Sequence, residues 1–154
     1  MKNVKIKTEK VLAVYNILKD ASYQKMTDDD KIKLWKVARL LKPTATKFED
    51  DCNDASKKLK SEGFDERLEK AKDYEVKKRQ GDTDLPLTEV EYMTFINGEW
   101  AKFNRLIADA IKEFADEEVE LEFEPLTEEA FACLMSSNNW KMDQAMTVSE
   151  LIIV

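Results

Sequence analysis

Apolar residues recur at alternating steps of four and three in two stretches of the chain. Leu34, Ala38, Leu41, Ala45, Phe48, Cys52, Ala55 and Leu59 form the first series; Met93, Ile96, Trp100, Phe103, Ile107, Ala110 and Phe114 form the second. Such spacing puts every member on one narrow helical stripe, and sustaining it for about three heptads marks a helix that buries this stripe. The pattern predicts a mainly α protein whose two long heptad-patterned helices form an antiparallel hairpin, with shorter helices around it.

Two short segments alternate with period two instead. Val4 and Ile6 stand against Lys5 and Lys7, and Val119, Leu121 and Phe123 stand between the glutamates of Glu118 to Glu124. Four like charges on one strand face repel, and a lysine-bearing neighbour relieves them. The amino-terminal strand is therefore predicted to pair with strand 118–124 in a small sheet, its apolar face on the helices.

Boundary residues divide the rest. A first helix is predicted from Thr8 to about Ala21. Thr27 caps the second, with Asp28, Asp29 and Asp30 at its positive amino end, an arrangement that fits capping better than a cation site. That helix runs toward Ser61 and stops near Gly63. Pro43 lies inside it and predicts a kink, since the seam keeps its phase on both sides. A charge-rich helix spans Phe64 to about Arg79, residues 80–86 form a loop, and Thr88 caps a helix reaching about Ala115. Gly98 costs that helix roughly 1 kcal/mol of propensity, and a close packing contact beside Trp100 is the expected reason for it. Pro125 and Thr127 open a helix holding Ala130, Phe131 and Leu134. The tail reads as a last helix, with a strand at its very end as the alternative.

Composition narrows the chemistry. A chain of 154 residues suits one domain, and three Gly with three Pro leave few turns. The net charge of −7 argues against general nucleic-acid binding, which needs excess cation. Cys52 and Cys133 fall at apolar helical positions and read as free thiols of a reducing compartment. With no continuous apolar leader and no stretch of ~20 apolar residues, the expected location is the cytoplasm, away from membranes.

The chain contains no histidine. The commonest general base, the commonest metal ligand, and the Ser-His and Cys-His nucleophile pairs are thereby missing. Carboxylate-bridged metal sites in helical bundles also draw on Glu-x-x-His pairs, and three scattered glycines supply no phosphate loop. With Asp and Glu totalling 32, no particular acid pair stands out. The expectation is a protein without enzymatic activity, cofactor or metal, acting by contact.

Arginine is scarce against lysine. Arg39 follows Trp35 by one helical turn and shares its face with Lys36, giving a cation and an aromatic plane suited to a nucleotide or phosphorylated ligand. Arg105, beside Lys102 and Asn104, lies away from the second stripe and faces outward. The plainer alternative has Arg39 snorkelling over the core and Arg105 pairing with Asp109. Trp100 reads as core. Trp140, after a polar run, fits an exposed anchor better than Trp100 does, although a core position is the favoured reading for it as well. Trp35, Lys36, Arg39, Lys102, Asn104, Arg105 and Trp140 are the candidate binding residues, and the Phe and Met left outside the stripes favour a homo-oligomer.

The order of features also carries a resemblance. A basic amino-terminal strand, a helix, a long helix with Phe48-Glu49-Asp50 near its middle, a turn, another long helix, Glu117-Glu118-Val119-Glu120-Leu121 and Pro125-Leu126-Thr127-Glu128-Glu129 follow one another. This resembles a loose group of small, largely uncharacterised helical proteins of tailed bacteriophages and prophages, from which Pro43 inside the second helix departs. The resemblance implies phage origin, hence the host cell cytoplasm, and no enzyme activity; it carries no site residues. It leads to two expectations: a phage accessory protein that antagonises host defence by sequestering a nucleotide signal or a host protein, or a morphogenesis protein docking on virion components.

Overall fold

The computed structural model describes residues 1–153. Strand β1 (Lys2–Lys7) leads into α1 (Thr8–Leu18); α2 (Asp28–Leu59), α3 (Phe64–Arg79) and α4 (Glu89–Phe95) follow. A π-helical segment (Ile96–Trp100) continues into α5 (Ala101–Asp116), and β2 (Glu118–Phe123), α6 (Glu128–Ser137) and α7 (Met142–Ile152) complete the order. The chain is mainly helical with one small sheet. It divides into two compact units, one made of residues 1–50 and the chain from Phe114 onward, the other of residues 51–113.

In the first unit β1 and β2 pair antiparallel, Lys5 opposite Glu120 and Lys7 opposite Glu118. The period-two alternation thus sets both the partner and the face. The Lys5 ammonium lies 3.2 Å from the Glu118 carboxylate, while Leu121 and Phe123 turn inward. There they meet Val11 and Val14 of α1, Leu34, Val37 and Leu41 of α2, Leu134 of α6, and Val148 and Ile152 of α7. Each such side chain, fully buried, contributes ~1.5–3 kcal/mol. The Thr8 backbone N–H and hydroxyl both donate to the Glu117 carbonyl, at 2.9 and 2.8 Å, tying the start of α1 to the strand it faces.

The tail is helical, as the sequence predicts. The Lys2 ammonium donates to the carbonyls of Leu151 and Ile153 at 2.9 and 2.8 Å, a cation at the negative end of α7. Ile153 adds an isolated parallel bridge to Leu126; Val154, the end of the tail, lies outside the described residues. At the other boundary checked from sequence, Thr27 Oγ1 accepts the Asp30 N–H at 3.2 Å, so the aspartate run does begin a capped helix. Cys52 and Cys133 are free and half-buried.

Neither stripe is buried along its length, as the expected hairpin would require. Of the first stripe only Leu34 and Leu41 are buried, and both belong to the core with α1, α6 and α7. Phe48, Cys52, Ala55 and Leu59 are half-buried. No residue of α5 is buried, although its apolar positions follow the stripe. The π-helical segment explains part of the difference. A π turn inserts extra rotation, so the apolar face changes phase across it. Met93 is exposed and Phe95, off the stripe, is buried instead. Trp100, read as core, is 37% exposed. A Cβ at Gly98 would meet nothing within 4 Å, so close packing is not what the glycine serves.

The second unit is centred on Phe64, whose ring lies 5.8 Å from that of Phe95 and 4.8 Å from that of Phe103. Gly63, at φ +74°, makes the left-handed step that turns the chain into α3. The Arg67 guanidinium folds back over this glycine: Nε donates to Glu99 Oε2 at 2.8 Å and Nη2 to the Glu62 carbonyl at 2.8 Å, while the Ser61 hydroxyl also donates to Glu99. The Arg67 hydrogen bond, then that of Ser61, holds the Glu99 carboxyl below its usual range. This cluster satisfies its own charges and joins α3 to the π segment.

On the other side of α3, Tyr74 and Tyr92 stack at 4.4 Å between centroids, and the Tyr92 hydroxyl donates to Glu75. A phenol that donates to a carboxylate resists losing its proton, and Tyr92 is pushed up to about 12. Because the folded value lies above the unfolded value near 10, this contact stabilises fully below pH ~10 and its contribution disappears as pH rises through about 12. Ultraviolet titration should therefore show one tyrosine ionising near 12, and Glu75→Gln should return it toward 10. Uniform titration of all the tyrosines near 10 would contradict the contact.

Candidate ligand-binding groove

One groove, of about 590 Å³, opens in the first unit where the end of α1, the following loop and the first half of α2 meet. Its size falls within the range usual for small-molecule sites. The floor is apolar: Leu18 and Leu34 are buried members of the core. The walls are different. Tyr15, Tyr23 and Trp35 supply three aromatic rings, Lys19, Lys31, Arg39 and Lys42 supply four cations, and no carboxylate lines the groove. In a chain of net charge −7, that is a local inversion of sign.

Helical spacing produces the α2 wall. Lys31, Trp35, Arg39 and Lys42 follow by four, four and three residues, so they stand on one face. The same face is not part of the Leu34–Leu41 stripe, which is why its indole is left in solvent: Trp35 is 57% exposed. The Arg39 guanidinium lies 5.1 Å from the Trp35 ring centroid, and the Lys31 ammonium 6.0 Å from that of Tyr23, within the range of cation–aromatic attraction. Lys31 also has Asp28 at 3.9 Å, a side chain that is almost wholly exposed. Among the described residues no carboxylate comes within 4.0 Å of Lys19, Arg39 or Lys42. Pro43, one residue beyond, lacks the N–H that would otherwise bond the Arg39 carbonyl.

The loop wall is held from behind. Asn138, just past α6, accepts the Ser22 N–H at 2.7 Å and donates through its amide to the Ser22 carbonyl at 2.7 Å. The Lys25 N–H donates to Ser137 Oγ at 3.1 Å. Met26 is buried and anchors the loop in the core. Tyr23 therefore projects from a backbone pinned on both sides. No protein-family model matches this chain, and neither a curated protein nor a solved structure matches it.

Of the sequence candidates, Trp35 and Arg39 line the groove together, and the others do not line it. Lys36 is exposed but does not line the groove. Lys102, Asn104 and Arg105 lie on α5 within residues 51–113 and form no part of it. The expected alternative for Arg105, a pair with Asp109, does not form either: neither residue has an ion pair among the described residues. Trp140 is half-buried and its ring lies 6.3 Å from that of Phe131, against the core, so it is no exposed anchor. Arg39 does not snorkel over the core; it lies along the indole.

Sequence reading missed Lys19, Tyr15, Tyr23, Lys31 and Lys42. The last two carried a usable signal, since they extend the Trp35–Arg39 spacing along one helical face. The residues from α1 and the loop carried none, because only the packing of α1 on α2 sets them opposite that face. Among the described residues no group of three acids or thiols is placed to hold a metal ion, and no helix is long and apolar enough to cross a membrane.

Proposed function

We propose that this chain is a small non-enzymatic binding protein whose groove takes an anionic ligand bearing a planar ring, a nucleotide by chemistry. The observation that carries the proposal is the groove wall itself, with three rings, four cations and no acid inside a net-acidic protein. Charge-assisted contacts to phosphate are stronger than neutral ones, and an exposed indole beside a guanidinium offers a stacking plane for a base. Read with the phage resemblance, the role is that of an accessory protein which holds a host nucleotide signal and so blunts the defence that depends on it.

Thermal denaturation at low salt with nucleoside mono-, di- and triphosphates, and with pyrophosphate as a ringless control, tests this. A ligand at a hundred times its Kd adds about 2.7 kcal/mol, which raises Tm by roughly 5–10 °C for a chain of this size. Arg39→Ala should weaken binding about tenfold, as loss of a charged contact does, and Trp35→Leu should weaken the nucleotide while sparing pyrophosphate. The nucleotide should be recovered chemically intact. No shift with any of these ligands, or turnover to a product, removes the proposal.

A second reading keeps the morphogenesis role or a homo-oligomer, and α5 favours it. An amphipathic helix with none of its residues buried, flanked by exposed Trp100 and carrying exposed Ile111, has apolar surface to offer a virion protein or a second copy. Light scattering and co-purification with virion components separate this reading from the first.

A further inference from the structure

Along the groove, rings and cations alternate. Tyr23 stands beside Lys31, Lys31 precedes Trp35 by one turn of α2, and Arg39 follows Trp35 by another, with Lys42 beyond it. Lys31 and Arg39, eight residues apart, are separated by about 12 Å of helix rise. From Tyr23 to Arg39 the order is therefore ring, cation, ring, cation, with Lys31 against Tyr23 and Arg39 against Trp35.

A single nucleotide has one base and one phosphate end, and would leave one of these couples unused. A chain of nucleotides presents base and phosphate in the same alternation, and proteins hold it with aromatic planes interleaved with cations. Its α2 wall runs from Lys31 to Lys42 and its loop wall carries Tyr23, so two ring–cation couples stand along it. We propose that the ligand of this groove is a dinucleotide, the first base on Tyr23, the intervening phosphate at Lys31, the second base on Trp35, and a further phosphate at Arg39 and Lys42. The inference rests on the nucleotide reading above and specifies it. The weak Asp28 contact of Lys31 does not oppose it, since that carboxylate is in open solvent and free to turn away.

Calorimetric titration of the whole chain with AMP, ATP, linear pApA, cyclic di-AMP and a twelve-residue oligoadenylate tests it. Stacking of a second base changes affinity by about fivefold to 150-fold, so pApA or cyclic di-AMP should bind at least about tenfold tighter than AMP. The tighter of the two identifies the linear or the closed form. Tyr23→Leu should lower dinucleotide affinity about tenfold and leave AMP unchanged, whereas Trp35→Leu should lower both. Both side chains are more than half exposed, so neither change disturbs the core. Equal affinity for AMP and the dinucleotides, tighter binding of ATP, or a Tyr23→Leu effect shared equally by AMP overturns the dinucleotide while leaving a nucleotide site. Affinity rising further for the twelve-residue strand overturns it in favour of a single-strand binder. Binding of none of the five removes the nucleotide reading as well.

Discussion

Phe64→Ala should destabilise the protein by about 3–5 kcal/mol, the loss usual when a large aromatic is truncated in a core. Phe64 is 2% exposed and is the ring that both Phe95 and Phe103 touch. Its position is decided locally: Gly63 turns the chain out of α2, and the first residue of α3 is thereby aimed at the π segment and α5. Within residues 51–113 the buried residues are few, Phe64, Ala71, Tyr74 and Phe95, so little remains to collapse into the space left. The urea midpoint should fall while the slope of the transition stays constant. Phe103→Ala should lose clearly less, because Phe103 is only half-buried. Equal losses for the two would mean that the stripe on α5, rather than Phe64, carries this core.

The second large effect has the opposite sign. Pro43→Ala should stabilise the chain by about 2 kcal/mol. α2 runs without interruption from Asp28 to Leu59 although Pro43 lies within it. Proline inside a helix costs about 3 kcal/mol relative to alanine, through the missing N–H and the ring's clash with the preceding turn. Alanine recovers most of that, less the ~0.4–1 kcal/mol by which the freer unfolded chain is favoured. Pro43 is exposed, so no core packing is lost. For a chain of this length the gain corresponds to a rise in Tm of roughly 4–8 °C. An unchanged or lowered Tm would show that Pro43 contributes a contact or a bend that the fold requires. Since Arg39 and Lys42 line the groove one turn and one residue before it, the same variant shows whether the groove's wall depends on Pro43.

Local chemistry determined a good part of this protein in advance. The alternation at Val4 to Lys7 and at Glu118 to Phe123 named both strands and their pairing, because opposite charges and a shared apolar face leave one register satisfied. Thr27, Thr88 and Thr127 marked helix starts that the structure repeats, since each hydroxyl accepts a backbone N–H three residues on. Trp35 and Arg39 were legible as a couple because i, i+4 neighbours meet on any helix.

What lies opposite a helical face is not written in that face. A heptad stripe states that some apolar surface must cover it, without naming which. Leu34 and Leu41 of the first stripe pack with α1, the sheet, α6 and α7, and Ile96 and Phe103 of the second pack on the cluster around Phe64. The π segment changed the phase of the second helix by a backbone choice that no side-chain pattern announces, so Phe95 went in and Met93 came out. The groove arose in the same way. Its α2 wall could be read as a spacing, but its other wall required α1 to pack against α2 and Asn138 to pin the loop that carries Tyr23. The Asn138 contacts join residues 116 positions apart, and only burial of the shared core brings them within reach.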